Sequence, residues 1–207
     1  TTIAGYTDGI LDGTIPPENE RQYLQIISNE SRRLSRLVRR MLDVSQLQAM
    51  DPLKSGSHFD ICESMRRVLI SMEKKITDRH LDVDADIPEE PILVRGDNDM
   101  ITQVIYNLLE NATKFAREGT TLYLGVTTID GKARVTVRNL GDTIPAEELP
   151  LLFERFHKSD KSRSEDKDGV GLGLYIVKTI LEQHKEKINV TSENGVTTFA
   201  FSLSMDA

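Results

Sequence analysis

The stretch G-D-N-D-M-I-T-Q-V-I-Y-N-L-L-E-N-A-T-K-F, residues 96–115, decides how the rest of the chain is read. Asp97 has the side chain of a helix N-cap, because its carboxylate can accept from one of the backbone N–H groups that a helix start leaves without partners. The spacing predicts a helix from Asp97 to about Phe115. On it, Leu108, Leu109 and Ala112 turn toward a core. Asn107, Asn111, Lys114 and Phe115 fall near another face, since positions i, i+4 and i+7 coincide on a helix. Two amides one turn apart offer oxygens to a hard cation such as Mg²⁺, and Lys114 adds a point charge suited to phosphate. Taken alone, the same residues also fit an ordinary polar helix surface.

Downstream, Thr121–Thr128 and Lys132–Asn139 form a hairpin around I-D-G-K. V-R-N-L-G-D-T-I-P (137–145) places Asn139 and Gly141 where a strand meets a loop. L-L-F-E-R-F-H-K (151–158) carries Phe153 and Phe156, three apart, as anchors. Residues 140–170 are irregular and charged, and 157–168, almost all polar, have the composition of a mobile lid. G-V-G-L-G-L-Y-I-V-K (169–178) brings Gly169, Gly171 and Gly173 to the start of a helix over Leu172–Gln183. Glycines let backbone approach a phosphate closely, and a helix start supplies unpaired N–H groups. No strand precedes these glycines and no G-K-[ST] follows, so neither the dinucleotide fingerprint nor a Walker loop is present. Lys187–Ser192 and Thr197–Ser204 make a second hairpin around E-N-G.

Upstream, His58–Ile61 is a short strand, Cys62–Ile76 an amphipathic helix, and Leu81–Ile87 and Ile92–Val94 are strands. Helices and strands do not alternate strictly, so the expected fold class is α+β, a two-layer α/β sandwich. D-P-L-K-S-G-S (51–57) is a linker. Before it, T-T-I-A-G-Y-T-D-G-I-L-D-G reads as the end of a helix stopped at Gly13, and a second helix runs from about Pro17 to Gln48. Ile27, Leu34 and Met41 repeat every seven residues on that helix, with Tyr23, Leu37 and Val44 on the alternate seam. Its arginines (Arg32, Arg33, Arg36, Arg39, Arg40) fit a solvated face. The expected organisation is a helical hairpin over 1–50, the linker, and an α+β domain over 58–207. A hairpin buries little alone, so pairing of two copies into a four-helix bundle completes it.

The bulk numbers exclude several functions. The chain has 207 residues and a mass of 23.3 kDa, enough for one or two domains. Its 26 Lys and Arg stand against 33 Asp and Glu, a net charge of −7, which argues against duplex nucleic acid as the main partner. Trp is absent and aromatics are 5%, which disfavours a base-stacking platform. There is no signal-peptide pattern and no apolar run long enough to span a membrane. One cysteine, Cys62, rules out a disulfide framework and a multi-cysteine zinc site. His58, His80, His157 and His184 have no metal-ligand spacing.

In order and spacing, these segments resemble the N-box, first glycine box, F-box and second glycine box of the ATP-binding catalytic domain of sensor histidine kinases of bacterial two-component systems. T-T-F (197–199) is similar to the final strand motif, and the likeness covers roughly 57–204. T-T-I-A-G-Y-T-D-G-I-L-D-G-T-I-P-P-E resembles the stretch just after the phosphoacceptor histidine of the dimerisation hairpin. R-L-S-R-L-V-R-R-M-L-D-V-S-Q-L resembles the second helix of that hairpin. The resemblance implies ATP and Mg²⁺ as ligands, with Asn111 coordinating the metal and Asn107 and Lys114 on the phosphates. It implies Phe115 against adenine or ribose, and Asn139 and Gly141 at the base. Gly169, Gly171 and Gly173 would close the backbone over the phosphates with Lys158, and Arg163, in reach. Phe156, Leu174 and Thr198 complete the expected nucleotide contacts. It also implies a homodimer, a response-regulator partner, no nucleic-acid partner, and a membrane-anchored parent protein whose cytoplasmic portion this is.

The sequence departs from the family at defined points. No histidine has the acidic-residue-and-proline context of the phosphoacceptor, so the chain is expected to lack that residue and not to autophosphorylate. Asn107 stands where gyrase-type ATPases carry a water-activating Glu, which favours transfer to a side chain over hydrolysis. Asn139 replaces the usual Asp, Thr143 a usual glycine, and Val196 a common glycine. Losing the charge at 139 costs about 1 kcal/mol of hydrogen-bond strength. These changes leave a second reading open, a degenerate nucleotide module or dimer scaffold. A third, a gyrase-type ATP hydrolase, is opposed by Asn107.

Overall fold

The computed structural model describes residues 2–49, 57–157 and 171–205. The chain divides into two units, Thr1–Gln48 and Ala49–Ala207.

In the first unit, α1 (Thr2–Leu11) ends before Gly13, whose φ of +76° suits a residue without a Cβ. Pro17 opens α2 (Pro17–Ala49), where a missing N–H costs nothing. The rings of Tyr6 and Tyr23 meet edge to face at 4.9 Å and join the two helices. Along α2, Tyr23, Ile27 and Leu37 are half-buried. Leu34 is 55% exposed, and Leu24, Val38, Met41 and Leu42 are likewise open. The unit therefore leaves an apolar stripe uncovered by its own described residues. The side chains of Arg36, Arg39, Arg40 and Val44 lie outside what the structure describes.

The second unit is built on a five-stranded sheet of order β2-β4-β5-β7-β6, formed by β2 (Asp82–Asp86), β4 (Thr121–Ile129), β5 (Lys132–Leu140), β6 (Ile188–Glu193) and β7 (Val196–Ser204). Only β2 and β4 run parallel. Both hairpins turn on two residues of positive φ, Asp130-Gly131 and Asn194-Gly195, as the two-residue turns that match strand twist require. A small antiparallel pair, β1 (His58–Asp60) and β3 (Leu93–Arg95), forms a second sheet, linked by a bridge from Val94 to Met205 just after β7.

The two strand patterns define one inward face. Ala133, Val135, Val137 and Asn139 of β5 are buried, as are Thr197, Phe199, Phe201 and Leu203 of β7, while Arg134 and Arg138 are exposed. Helices α3 (Ile61–Asp78), α4 (Asn98–Phe115) and α5 (Gly173–Gln183) form the second layer, with α4 packed on both other helices and on β5. Met100, Ile101, Val104, Ile105, Leu108, Leu109 and Ala112 of α4 are all buried, each large side chain contributing about 1.5–3 kcal/mol of transfer free energy. On the outward face the Arg138 guanidinium lies 4.4 Å over the Tyr123 ring. The expected two-layer α+β fold is thus the one observed.

Two local expectations change. The strand expected over Leu81–Ile87 covers Asp82–Asp86, where every residue is exposed, and Leu81, just before it, is buried. β2 is the edge strand, paired with β4 alone. Residues 140–170, expected to be irregular, contain a 3₁₀ turn at Leu149–Phe153, whose Phe153 is buried edge to face against Phe199 at 6.5 Å. The linker lies outside the described residues save Ser57.

Candidate functional site

Helix α4 begins as its sequence dictates: the Asp97 carboxylate accepts from the Met100 N–H at 3.0 Å. From that start the heptad-like burial aims Leu108, Leu109 and Ala112 into the core, and Asn107, Asn111, Lys114 and Phe115 are left half-buried. The Asn107 Nδ2 is enclosed without a hydrogen-bond partner among the described residues. Such a donor costs about 1–3 kcal/mol until an acceptor arrives. Gly173, the first residue of α5, faces it: a Cβ at Gly173 would sit 3.9 Å from the Asn107 Oδ1. The free N–H groups of a helix start and an unpartnered amide donor are therefore side by side, an arrangement suited to an anion. At the end of α4, the Lys114 ammonium lies 5.2 Å over the Phe115 ring centroid.

The end of β5 closes against the end of α4. Arg117 donates to the Leu140 carbonyl at 2.7 Å and Gly141 to the Gly195 carbonyl at 2.8 Å. A Cβ on Gly141 would lie 2.3 Å from the Phe115 carbonyl oxygen and 3.4 Å from the Asn139 Nδ2. Glycine is needed there so that strand and helix can touch. Asn139 is buried on the inward face, paired across the ladder with Thr197. Thr197 is buried too, and its hydroxyl meets that of Ser192 at 2.9 Å, which in turn accepts from the Ile144 N–H.

Thr198 is one residue further along β7 and points to the outward face, opposite Arg138. The structure does not bring Thr198 to Asn139. The period-2 alternation of a strand puts Thr197 there instead, and counting from the buried Phe199 would have found it. Thr143 and Val196 also find explanations. The Thr143 hydroxyl accepts from the Gly195 N–H at 2.8 Å and ties the loop to the β6–β7 turn. Val196 sits in regular ladder opposite Leu140, where no glycine is required, because Gly195 supplies the positive φ.

The two phenylalanines part company. Phe153 is the buried anchor; Phe156 is 49% exposed, with φ at +61°. The Phe156 N–H donates to the Gly171 carbonyl at 3.1 Å. Gly171 itself has φ +72°, and a Cβ there would lie 2.8 Å from the His157 carbonyl oxygen, so the segment demands glycine twice over. Leu174 is half-buried in the first turn of α5. The His157 Nε2 is enclosed with no partner among the described residues, a feature that the polar composition of its segment did not disclose. Lys158, Arg163 and Gly169 lie outside the described residues.

Glu110, the carboxylate nearest the amides in sequence, is committed elsewhere. It takes the Lys75 ammonium of α3 at 2.5 Å and the Tyr106 hydroxyl at 3.2 Å. Partial burial pulls the Lys75 pKa down, but the hydrogen bonds to Glu110 and Tyr106 outweigh it and hold the group above the ordinary lysine value. Among the described residues no cluster of three His, Cys, Asp or Glu could hold a metal. Asn107 and Asn111 each carry an amide oxygen of the kind that a hard cation takes.

A family model described as "Histidine kinase-, DNA gyrase B-, and HSP90-like ATPase" matches residues 96–207, and one described as "His Kinase A (phospho-acceptor) domain" matches residues 1–49. The chain belongs to the sensor histidine kinase family. Sensor protein SrrB of Staphylococcus aureus is 30% identical over 203 residues, covering 97% of this chain and 35% of SrrB. This chain thus spans about a third of the length of the curated relatives it matches. The catalytic domain of histidine kinase ThkA superposes with a TM-score of 0.64 at 28% identity, covering 72% of this chain and 94% of that one. Histidine kinase ThkA in complex with response regulator protein TrrA gives 0.70 at 26% identity, over 97% and 56%. Histidine kinase AdeS of Acinetobacter baumannii shares the fold, with a TM-score of 0.73 at 22% identity over 99% and 94%.

Proposed function

We propose that this chain is the catalytic core of a sensor histidine kinase, binding Mg-ATP on the outer face of α4 and donating the γ-phosphoryl group to a histidine of a dimerisation helix. The observation that carries the reading is the enclosed, unpartnered Asn107 donor beside the α5 start at Gly173. In this reading Asn107 and the backbone at Gly171 and Gly173 hold phosphate oxygens, and Lys114 neutralises their charge. Asn111 gives its amide oxygen to Mg²⁺, which supplies charge stabilisation to the phosphates when bound. Phe115 covers the adenine or ribose. Asn139 offers an acceptor to the adenine amino group and, unlike the usual carboxylate, a donor as well.

No general base is asked for. Asn107 cannot take a proton at neutral pH, and Glu110 is engaged by Lys75 and Tyr106. Transfer to a side chain is thereby favoured over transfer to water, and positioning with charge neutralisation does the chemistry. None of the four histidines lies in residues 1–49, so the acceptor is supplied from outside these residues and the chain alone does not autophosphorylate. The uncovered stripe on α2 (Leu34, Val38, Met41) pairs two copies through a four-helix bundle. A response regulator takes the phosphoryl group onward. No described helix is long and apolar enough to cross a membrane; the anchor belongs to the rest of the parent sensor, with this portion in the cytoplasm.

The test is calorimetric titration of the chain with ADP and a non-hydrolysable ATP analogue, with and without Mg²⁺, alongside Asn111→Ala. Magnesium-dependent binding lost in the variant is the expected result. No binding at millimolar nucleotide would overturn the reading and leave a dimer scaffold.

A further inference from the structure

His184 is buried at the C-terminal end of α5. Its Nε2 accepts a 3.1 Å hydrogen bond from the Asp97 backbone N–H, at the start of α4. A backbone amide can only donate, so the ring proton is on Nδ1, where it meets the Ile180 carbonyl at 2.8 Å. Both ring nitrogens are thus satisfied by the neutral Nδ1–H tautomer. Gly96 makes room for the ring: its φ is +153°, and a Cβ would lie 2.7 Å from the His184 Cδ2.

The two helices are antiparallel. Asn107 is ten residues along α4 from Asp97, Gly173 is eleven residues before His184 on α5, and those two residues meet at the nucleotide face. His184 therefore joins the helix pair about 15 Å from the phosphate end. Between the two ends the helices pack on one another, and Ile101, Ile105, Ile176 and Ile180 are among their buried apolar residues. The hydrophobic effect is itself non-directional; a hydrogen bond is directional and adds a fixed point to the packing along the axis. Nor is the ring needed merely to cap α4, which Asp97 already caps through Met100, with Asn98 held by the Ser64 hydroxyl at 2.7 Å.

We infer that His184 is a positioning residue for the nucleotide site: its Nε2 acceptor sets the axial register of α5 against α4, and so the placement of the Gly173 N–H groups beside Asn107. This rests on the nucleotide reading above. Residues that act on a site from a distance shift its affinity by about 3- to 30-fold.

The experiment titrates the full chain with Mg-ADP as wild type, H184Q, H184N and H184A, each well below its own Tm, and records the imidazole ¹⁵N shifts of the wild type. Gln can present an acceptor where Nε2 was; Asn reproduces only the donor to Ile180. The expected result is H184Q within about threefold of wild type, H184N and H184A about 3- to 30-fold weaker, and ¹⁵N shifts of the Nδ1–H tautomer. Affinity that follows the presence of an acceptor for the Asp97 N–H, instead of Tm, is what a role in folding alone would not give. Equal affinity in H184A, or H184Q as weak as H184A, overturns the inference while leaving the nucleotide site standing. Absence of Mg-ADP binding in the wild type sinks both. Should H184A and H184N fail to fold, H184Q and the tautomer decide, and a proton on Nε2 overturns it.

Discussion

Gly141→Ala tests the junction on which the site depends. The added Cβ would lie 2.3 Å from the Phe115 carbonyl oxygen, where ordinary contact begins near 3.4 Å, so strand and helix must part by about 1 Å. The clashing atom is backbone, which cannot swing aside as a side chain could. Overpacking of this kind costs about 1–3 kcal/mol. The junction is also held by the Arg117–Leu140 and Gly141–Gly195 hydrogen bonds at 2.7 and 2.8 Å, and stretching them adds about 1 kcal/mol. The expected total is about 2–4 kcal/mol, read as a Tm lower by roughly 5–15 °C for a unit of this size. Because Phe115 and Lys114 move with the displaced carbonyl, nucleotide affinity should fall as well when measured below the new Tm. Thermal unfolding by circular dichroism and Mg-ADP calorimetry are the assays. A Tm within 2 °C of wild type, at about 1 kcal/mol or less, would refute the steric argument.

Glu110→Gln should leave Mg-ADP affinity unchanged, because the carboxylate faces Lys75; a large loss by calorimetry would return Glu110 to the site. With Lys75 raised above its ordinary value, the pair's contribution is complete below about pH 10.5 and lost as pH climbs past it; half-exposed, it amounts to about 0.5 kcal/mol in urea titrations. Thr197→Val, which removes the partner of the Ser192 hydroxyl, should cost about 1 kcal/mol and weaken nucleotide binding. Thr198→Val on the outward face should do neither, and the reverse ranking would break the parity assignment. Cys62 is fully buried, and burial pushes its thiol pKa up, so it should react with a thiol reagent only as fast as the chain unfolds; prompt labelling of native protein would contradict that.

Helix α4 was legible because three signals agree in one stretch: an Asp cap, an apolar period and a polar face. The hairpins were legible through Asp-Gly and Asn-Gly turns. What composition could not convey is which strand lies at the edge. β2 alternates as any strand does, and only the sheet order shows that it lies at the edge. The side that Thr198 takes was hidden for a related reason: adjacent identical residues are chemically equivalent in a motif, and only register against Asn139 separates them. The role of Gly141 depends on a carbonyl 26 residues away in the chain, and that of His184 on an amide 87 residues away. Such contacts are tertiary facts with no local signature.

The exposed edge strand acquires a meaning once two copies are joined. Catalytic units tethered through one bundle would meet each other at roughly millimolar effective concentration, at which even feeble strand-to-strand pairing becomes populated. Asp82, Asp84 and Asp86 recur at every second residue of β2, so they crowd one face of that edge. A twin edge docking antiparallel would set carboxylate against carboxylate. In the proposed dimer this acidic edge would therefore disfavour merging of the two sheets through β2.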